Sequence, residues 1–492
     1  MRSPQHHTIY LLLVSWMVSG LLPLRAQQAN TLYLMHEVPQ SNLLNPAVQL
    51  QCRYYIGIPV LSSLHLNYSN TAFTYNDLAG SDTWNFEGVL DQMHRVDLFA
   101  VETRLHLLSL GYRLGRHYFT FNIAENIHLY QTVPRDLAQT ALEGNGPFIG
   151  ETAKYDGLRP GFYHAREYSL GISRVFSDRL TAGIRARLLF GKSNLYASRS
   201  RMRLTTREDN FGLLVEGDYT LNSSFPYAIT QDTDGNIDGI TMGEIDPYNY
   251  LMNRGNPGFA IDLGAIYRYT EKITFSASLL DLGFIRWKTD VNNVHGEGGF
   301  IYDGVDVETE LVSQAYLNEL GDSLLNAFDA TPSTDPYTHF FPAQLYLGAS
   351  YQWREHISFG VVNRNLILGS KLHSSFSLLA RADLLDRISA AVSWSYLNNS
   401  LKNVGLGIAY HGKGIQFHAV SDNLLGFFYP FDTRALNLRF GINLMFGCPR
   451  DGKEKDGEDT WGKPSISGEC PWVEDRAKSR KKRIKAARKR NR

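Results

Sequence analysis

The last strand-like run of the chain constrains the fold more than any other feature. Leu436, Leu438, Phe440, Ile442, Leu444 and Phe446 are all apolar, and Asn437, Arg439, Gly441 and Asn443 stand between them. Side chains alternate across a strand, so one face of this run seeks hydrocarbon and the other seeks water. The same alternation sets Ile273, Phe275, Ala277 and Leu279 against Thr274, Ser276 and Ser278. It returns in Ile388, Ala390, Val392, Trp394 and Tyr396 against Ser389, Ala391, Ser393 and Ser395. These are long strands, each buried on one face by something other than its neighbours in sequence.

The connections between such runs fall into two kinds. Six are tight: LGRH at 114–117, FSDR at 176–179, TEK at 270–272, REH at 354–356, LLDR at 384–387 and HGK at 411–413. Seven are longer or more polar, at 77–100, 131–160, 197–257, 289–338, 368–371, 397–402 and 424–433. Seven loops on one side and six turns on the other are what an up-and-down barrel of 14 antiparallel strands requires, with both chain ends on the six-turn side. Membrane barrels have even strand numbers, short periplasmic turns and longer outer loops. The expected fold is therefore all-β: a transmembrane antiparallel barrel over residues 53–447. If the hairpin-like stretch 202–221 joins the wall instead of projecting beyond it, the barrel has 16 strands. A secreted β-sandwich or propeller also alternates, but it gives no reason for the asymmetry between turns and loops.

Aromatic residues make up 12% of the chain, with tyrosine (27) well ahead of tryptophan (7). Trp287, Trp353, Trp394 and Tyr396 lie near strand ends, where aromatic girdles meet the two interfaces. Residues 1–26 have a weakly basic start, an apolar stretch and Leu24-Arg25-Ala26 before Gln27, the build of an export signal. Beyond it no apolar run approaches the roughly 20 residues of a spanning helix, so any crossing is made by strands. Three cysteines cannot form a disulfide framework. Cys52 stands alone, and Cys448 and Cys470 are the pair that an oxidising compartment would join, if they are not isolated thiols.

Net charge is zero, but residues 476–492 hold eleven Lys or Arg and no acid, which leaves the body acidic. The tail, with Arg480, Lys481, Lys482 and Arg483 followed by Lys485, Arg488, Lys489 and Arg490, suits an anionic surface or an acidic envelope partner. No aromatic interrupts it to stack on bases, so nucleic acid is not expected. The expected partners are outer-membrane lipid and, through the tail (448–492, basic from 476), periplasmic or envelope proteins.

Catalytic signals are poor. FGKS at 190–193 ends like a phosphate loop, but Ala186 occupies the position of the required glycine, and no metalloprotease or nucleophile-elbow motif occurs. No enzyme and no organic cofactor are expected. The best metal candidate is DTDGNIDG, where Asp232, Asp234, Asn236 and Asp238 offer oxygens at alternate positions to calcium. Its glycine spacing departs from the helix-loop-helix calcium pattern, and an Asx- and Gly-rich turn is the plainer account. Residues 309–330 carry helical apolar spacing and suggest a short amphipathic helix in an outer loop.

The strand pairs EYSLGISRVFSDRLTAGIRARLLFGKSNL, GFAIDLGAIYRYTEKITFSASLLDLGFIRWK and GIQFHAVSDNLLGFFYPFDTRALNLRFGINLMFG resemble outer-membrane barrels of the Bacteroidota. The resemblance is to an uncharacterised family close to the PorP/SprF group associated with type IX secretion, and it spans about 32–447. It implies an outer-membrane location with both termini periplasmic, and a structural or accessory role that docks secretion or motility machinery. The larger outer loops and the basic tail depart from that group. NLLNPA before the first strand also resembles the Asn-Pro-Ala of FadL-type transporters, 14-stranded barrels with an N-terminal hatch. On that likeness Asn45, Pro46 and Ala47, within a lead-in at 27–52, form a lumenal plug, and the chain is a channel for hydrophobic or small solutes. Leu43, Leu44 and Val48 require cover, which agrees with a place inside the barrel.

Overall fold

The structure, a computed structural model, describes residues 30–79, 84–231, 237–244, 246–302, 330–368, 371–385, 387–397 and 400–448. Fourteen antiparallel strands close into a barrel. They are β1 (Tyr54–Gly57, resumed at Leu64–Asn70), β2 (Val96–Leu114), β3 (His117–Pro134), β4 (Arg159–Val175), β5 (Leu180–Thr206), β6 (Asn256–Arg268) and β7 (Ile273–Trp287). The second half holds β8 (Ala343–Arg354), β9 (Ile357–Leu368), β10 (Lys371–Leu385), β11 (Ile388–Leu397), β12 (Ser400–His411), β13 (Ile415–Ser421) and β14 (Ala435–Phe446). Each strand pairs with the next, and β14 pairs with both parts of β1, so no edge is left open.

The wall is inverted relative to a soluble sheet. Ser169 and Ser173 of β4 are buried in the lumen, while Leu170 between them is 63% exposed. On β14 Asn437, Arg439 and Asn443 are buried, and Phe446 is 46% exposed. An apolar outer belt around a polar, filled interior is the arrangement that hydrocarbon solvent demands. At the short-turn end Tyr54, Tyr267, Tyr351, Trp353 and Tyr410 face outward, and Arg354 lies over the Trp353 ring. Trp394 is exposed toward the long-loop end. Trp287 departs from the girdle expectation: it is fully buried, stacked on Tyr337 and seated against Gly191. The short strand Tyr337–Phe340 pairs with the end of β7 and covers it.

The stretch 202–221 does not enter the wall. The first part of β5 pairs with β6, whereas its far part pairs with Leu213–Ser224, which pairs in turn with Val291–Tyr302. At about 3.3 Å per residue the 27-residue β5 is roughly twice as long as a bilayer requires. The surplus forms a sheet beyond the belt, and the barrel has 14 strands.

A second expectation is corrected. Cys52 does not stand alone; it is disulfide-bonded to Cys448 across 396 residues of sequence. Barrel closure supplies the reason. Tyr54 faces Phe446 in the β1–β14 register, so the residues two positions further out on each strand meet at the seam. Cys470 lies outside the described residues.

Candidate functional site

Residues 30–50 run through the lumen. Asn30 and Thr31 begin beside Asp422, at the long-loop end of β13, where both backbone N–H groups donate to the Asp422 carboxylate at 3.2 and 2.7 Å. The chain then descends to the short-turn end, where the Gln49 side chain donates to the carbonyl of Arg116. The first described residues therefore lie deep in the lumen rather than at the short-turn mouth.

The descent is short helical turns, not strand. Pro39 opens a 3-10 turn over Pro39–Leu43, where its missing N–H costs nothing. Apolar side chains of the segment, Leu32, Tyr33, Met35, Val38 and Leu44, form one core with wall residues that include Leu280, Tyr346, Val362 and Leu379. Tyr33 stacks on Tyr346 with ring centroids 5.0 Å apart. Polar anchors surround this core. Thr31 Oγ1 and Ser393 Oγ are 2.6 Å apart, Glu37 pairs with Arg381 at 3.1 Å, and the amides of Gln40 and Asn443 exchange hydrogen bonds at 2.9 and 3.1 Å.

Asn45, Pro46 and Ala47 press against β5, β6 and β7. Asn45 Oδ1 accepts from the Ala47 N–H at 3.0 Å, and its Nδ2 donates to Tyr33 and to the carbonyls of Ala265 and Ala277. Gly183 is required here, because a Cβ at that position would lie 2.2 Å from the Pro46 carbonyl oxygen. Gly264 likewise yields to Asn45. Leu43, Leu44 and Val48 are buried.

Beside the segment lies a layer of buried charge. Arg185 donates to Asp262 at 2.8 Å and to the carbonyls of Asn42 and Leu43, which ties the wall to the segment. Arg187 pairs with Asp281 at 2.7 Å and lies within 3.8 Å of Asp262 and Glu167. Asp281 occupies a bulge opposite Asp262 with φ of 62°, and its N–H donates to the Asp262 carboxylate. Toward the long loops the lining turns aromatic. Tyr163 stacks on His128 at 4.8 Å, Tyr196 on His339 at 4.5 Å, and Phe341 lies 5.4 Å from Tyr163. Glu102 holds His128 at 3.0 Å. These rings are half-buried, apart from the buried His339.

The loop between β1 and β2 packs, through Ala72, Val89 and Leu90, against Phe99 of β2 and Val133 of β3. Thr74 and Asp77 cap its first helical turn reciprocally. Burial pushes the Asp77 carboxyl up, but the Thr74 N–H and hydroxyl, with Gln92 and Arg434 nearby, outweigh it and hold the group below the usual carboxylate range.

A protein-family model matches residues 46–422, from Pro46 in the lumen to Asp422 at the end of β13, and its description is "Family of unknown function (DUF5723)". The chain belongs to the DUF5723 family. Among curated proteins none matches this DUF5723 member. Solved structures similar to it include the toluene transporter TbuX of Ralstonia pickettii, at 12% identity over 83% of this chain and 94% of that one, with a TM-score of 0.37. A FadL homologue of Pseudomonas aeruginosa is 10% identical over 86% and 99% of the two chains with a TM-score of 0.38. The P. putida toluene transporter TodX is 12% identical over 81% and 90%, with a TM-score of 0.33.

Other sequence candidates of the DUF5723 chain fall outside what the structure describes. Asp232, Asp234 and Asn236 are not among the described residues, nor is the side chain of Asp238. The same holds for the basic tail at 476–492 and most of the amphipathic stretch at 309–330. The wall residues that grip the segment, Arg185, Arg381 and Asp422, were not singled out from sequence. A signal for one of them was present: Arg185, like Arg187, alternates with Ala186 and Leu188 within a barrel strand, and a charge on the non-apolar face of such a strand must find its partner in the lumen.

Proposed function

We propose that this DUF5723 protein is a non-enzymatic channel of the Gram-negative outer membrane for small hydrophobic, chiefly aromatic, solutes, with residues 30–50 as its stopper. The observation that carries the reading is the aromatic mouth. Tyr130, Tyr163, Tyr196, Tyr337 and Phe341 are half-buried at the long-loop end, so apolar faces stay accessible above a closed lumen. Stacking faces of this kind suit flat apolar molecules. Passage then requires the segment to shift from its seat.

The test is a lock. Thr31→Cys with Ser393→Cys replaces a 2.6 Å hydroxyl pair by a disulfide between segment and wall. Cells that carry the natural chain should take up a fluorescent naphthylamine faster than cells without it, the oxidised double variant should match cells without it, and reductant should restore the rate. No acceleration by the natural chain sinks the reading.

A second reading, an accessory barrel that docks secretion or motility machinery, is favoured by the anchorage itself. An apolar core and the buried Arg381–Glu37 pair are expensive to open, and a permanently filled barrel suits a scaffold. Removal of 476–492 with loss of co-purifying envelope proteins would support it, and retention of all of them would count against docking through the tail.

A further inference from the structure

Arg439 projects into the lumen from β14 and is 5% exposed. Its one hydrogen bond among the described residues is donated by Nη1 to Ser63 Oγ at 3.3 Å, and among those residues no carboxylate forms an ion pair with it. The acids that act on it from further away are already engaged. Glu102 holds His128, and Asp422 accepts from Asn30, Thr31 and Asn437. The other cation of the neighbourhood, Arg104, donates to Asn126 and repels rather than pairs.

The surrounding strands add open hydrogen-bonding groups. His65 stands directly across from Arg439 on β1, and His418 lies beside Gly441 on β13. Both ring nitrogens of His418, both amide atoms of Asn67, Nδ1 of His106 and Oγ of Ser62 are buried without a hydrogen-bond partner among the described residues. His418 is on β13, Asn67 on β1, His106 on β2 and Ser62 in the break within β1, so that they flank Arg439 of β14. Buried polar groups are seldom left unsatisfied, and a buried cation is seldom left unpaired.

The backbone has also been shaped around this place. Between Gly57 and Leu64 strand β1 leaves the sheet, with Val60 held at φ of 67°, and turns the buried Ser62 and Ser63 inward. The Ser62 carbonyl lies 2.0 Å from where a Cβ of residue 441 would be, so only glycine allows the fold-in.

We propose that Arg439, with His418, Asn67 and Ser63, forms a lumenal receptor for one anionic oxygen-bearing group, a carboxylate or a phosphate. The guanidinium supplies the charge, the Asn67 amide and a His418 N–H supply donors, and the lumen excludes competing water. The site stands whether or not solutes cross the barrel, since it concerns binding and not passage.

The experiment is calorimetric titration of the full-length protein in detergent with sodium benzoate, its neutral counterpart benzamide, and inorganic phosphate. At least one anion should bind, and Arg439→Gln should weaken it tenfold or more, whereas Arg286→Gln at the exposed Arg286 should not change it. Binding of phosphate alone assigns a phosphoryl ligand, and binding of benzoate alone assigns a carboxylate. If Arg439→Gln loses its heat-dependent gel mobility and so does not fold, Asn67→Val takes its place, with a threefold or greater loss expected. Equal binding of benzoate and benzamide with none of phosphate, or anion binding unchanged in whichever of these variants folds, overturns the proposal.

Discussion

The two flanks of the lumen treat buried charge in opposite ways. Against β5 to β11 the charges that touch the inner segment are paired: Arg381 has Glu37, and Arg185 has Asp262 and two segment carbonyls. Along β13, β14, β1 and β2 the same lumen leaves Arg439, His418 and Asn67 with unused capacity. A paired buried charge holds architecture, while an unpaired one is a cost that function has to justify. The lesson is that the firm side of the lumen and the receptive side are distinguished by bookkeeping of partners, not by composition.

The largest effect expected from this contrast is on the firm side. Arg381→Ala strands the Glu37 carboxylate in the lumen and should cost about 3–5 kcal/mol, read as a lower urea midpoint for loss of heat-dependent gel mobility. Next is the closing seam within the receptive flank: Cys52→Ser should cost about 2–4 kcal/mol, and thiol labelling of the unreduced natural chain should miss Cys52 and Cys448. Gly183→Ala forces a methyl against the Pro46 carbonyl and should cost about 1–3 kcal/mol, with faster proteolysis within 30–50 as the local sign. Arg439→Met should reverse the sign. Because it removes a charge without a partner, the variant should be neutral or more stable by about 1 kcal/mol or more, and a loss as large as that of Arg381→Ala would erase the distinction between flanks.

The smallest effect lies outside the lumen, at the Thr74–Asp77 cap. Asp77 is held below its ordinary range in the folded chain, so its contribution is complete above the unfolded carboxylate pKa and fades as pH falls through the lowered folded value. Protection of the Tyr75–Leu78 amides, taken relative to their intrinsic exchange rates, should fall in acid, and Asp77→Asn should remove that dependence, at a cost below about 1 kcal/mol.

Particular residues show how much of this was legible. The alternation of Leu436 to Phe446 names the lipid face, and six tight turns against seven loops count the strands, because a barrel strand declares its two faces within itself. Leu43, Leu44 and Val48 revealed a covered segment before the first strand, since exposed apolar residues in a spacer would be costly. Trp287 misled because its cover, Tyr337–Phe340, comes from a distant loop. The disulfide was hidden for a similar reason: only the closing register brings Cys52 beside Cys448.

Sequence by itself thus determined the wall, a strand number of 14 or 16 and the existence of a buried lead-in, all properties carried by neighbours two to a few residues apart. Tertiary structure alone decided which inward side chains meet. Inward positions on fourteen strands become neighbours only when tilt, register and closure are set, and those depend on every strand at once. That is why Arg381 and Arg439, indistinguishable as arginines among alternating residues, became an anchor and an unpaired charge.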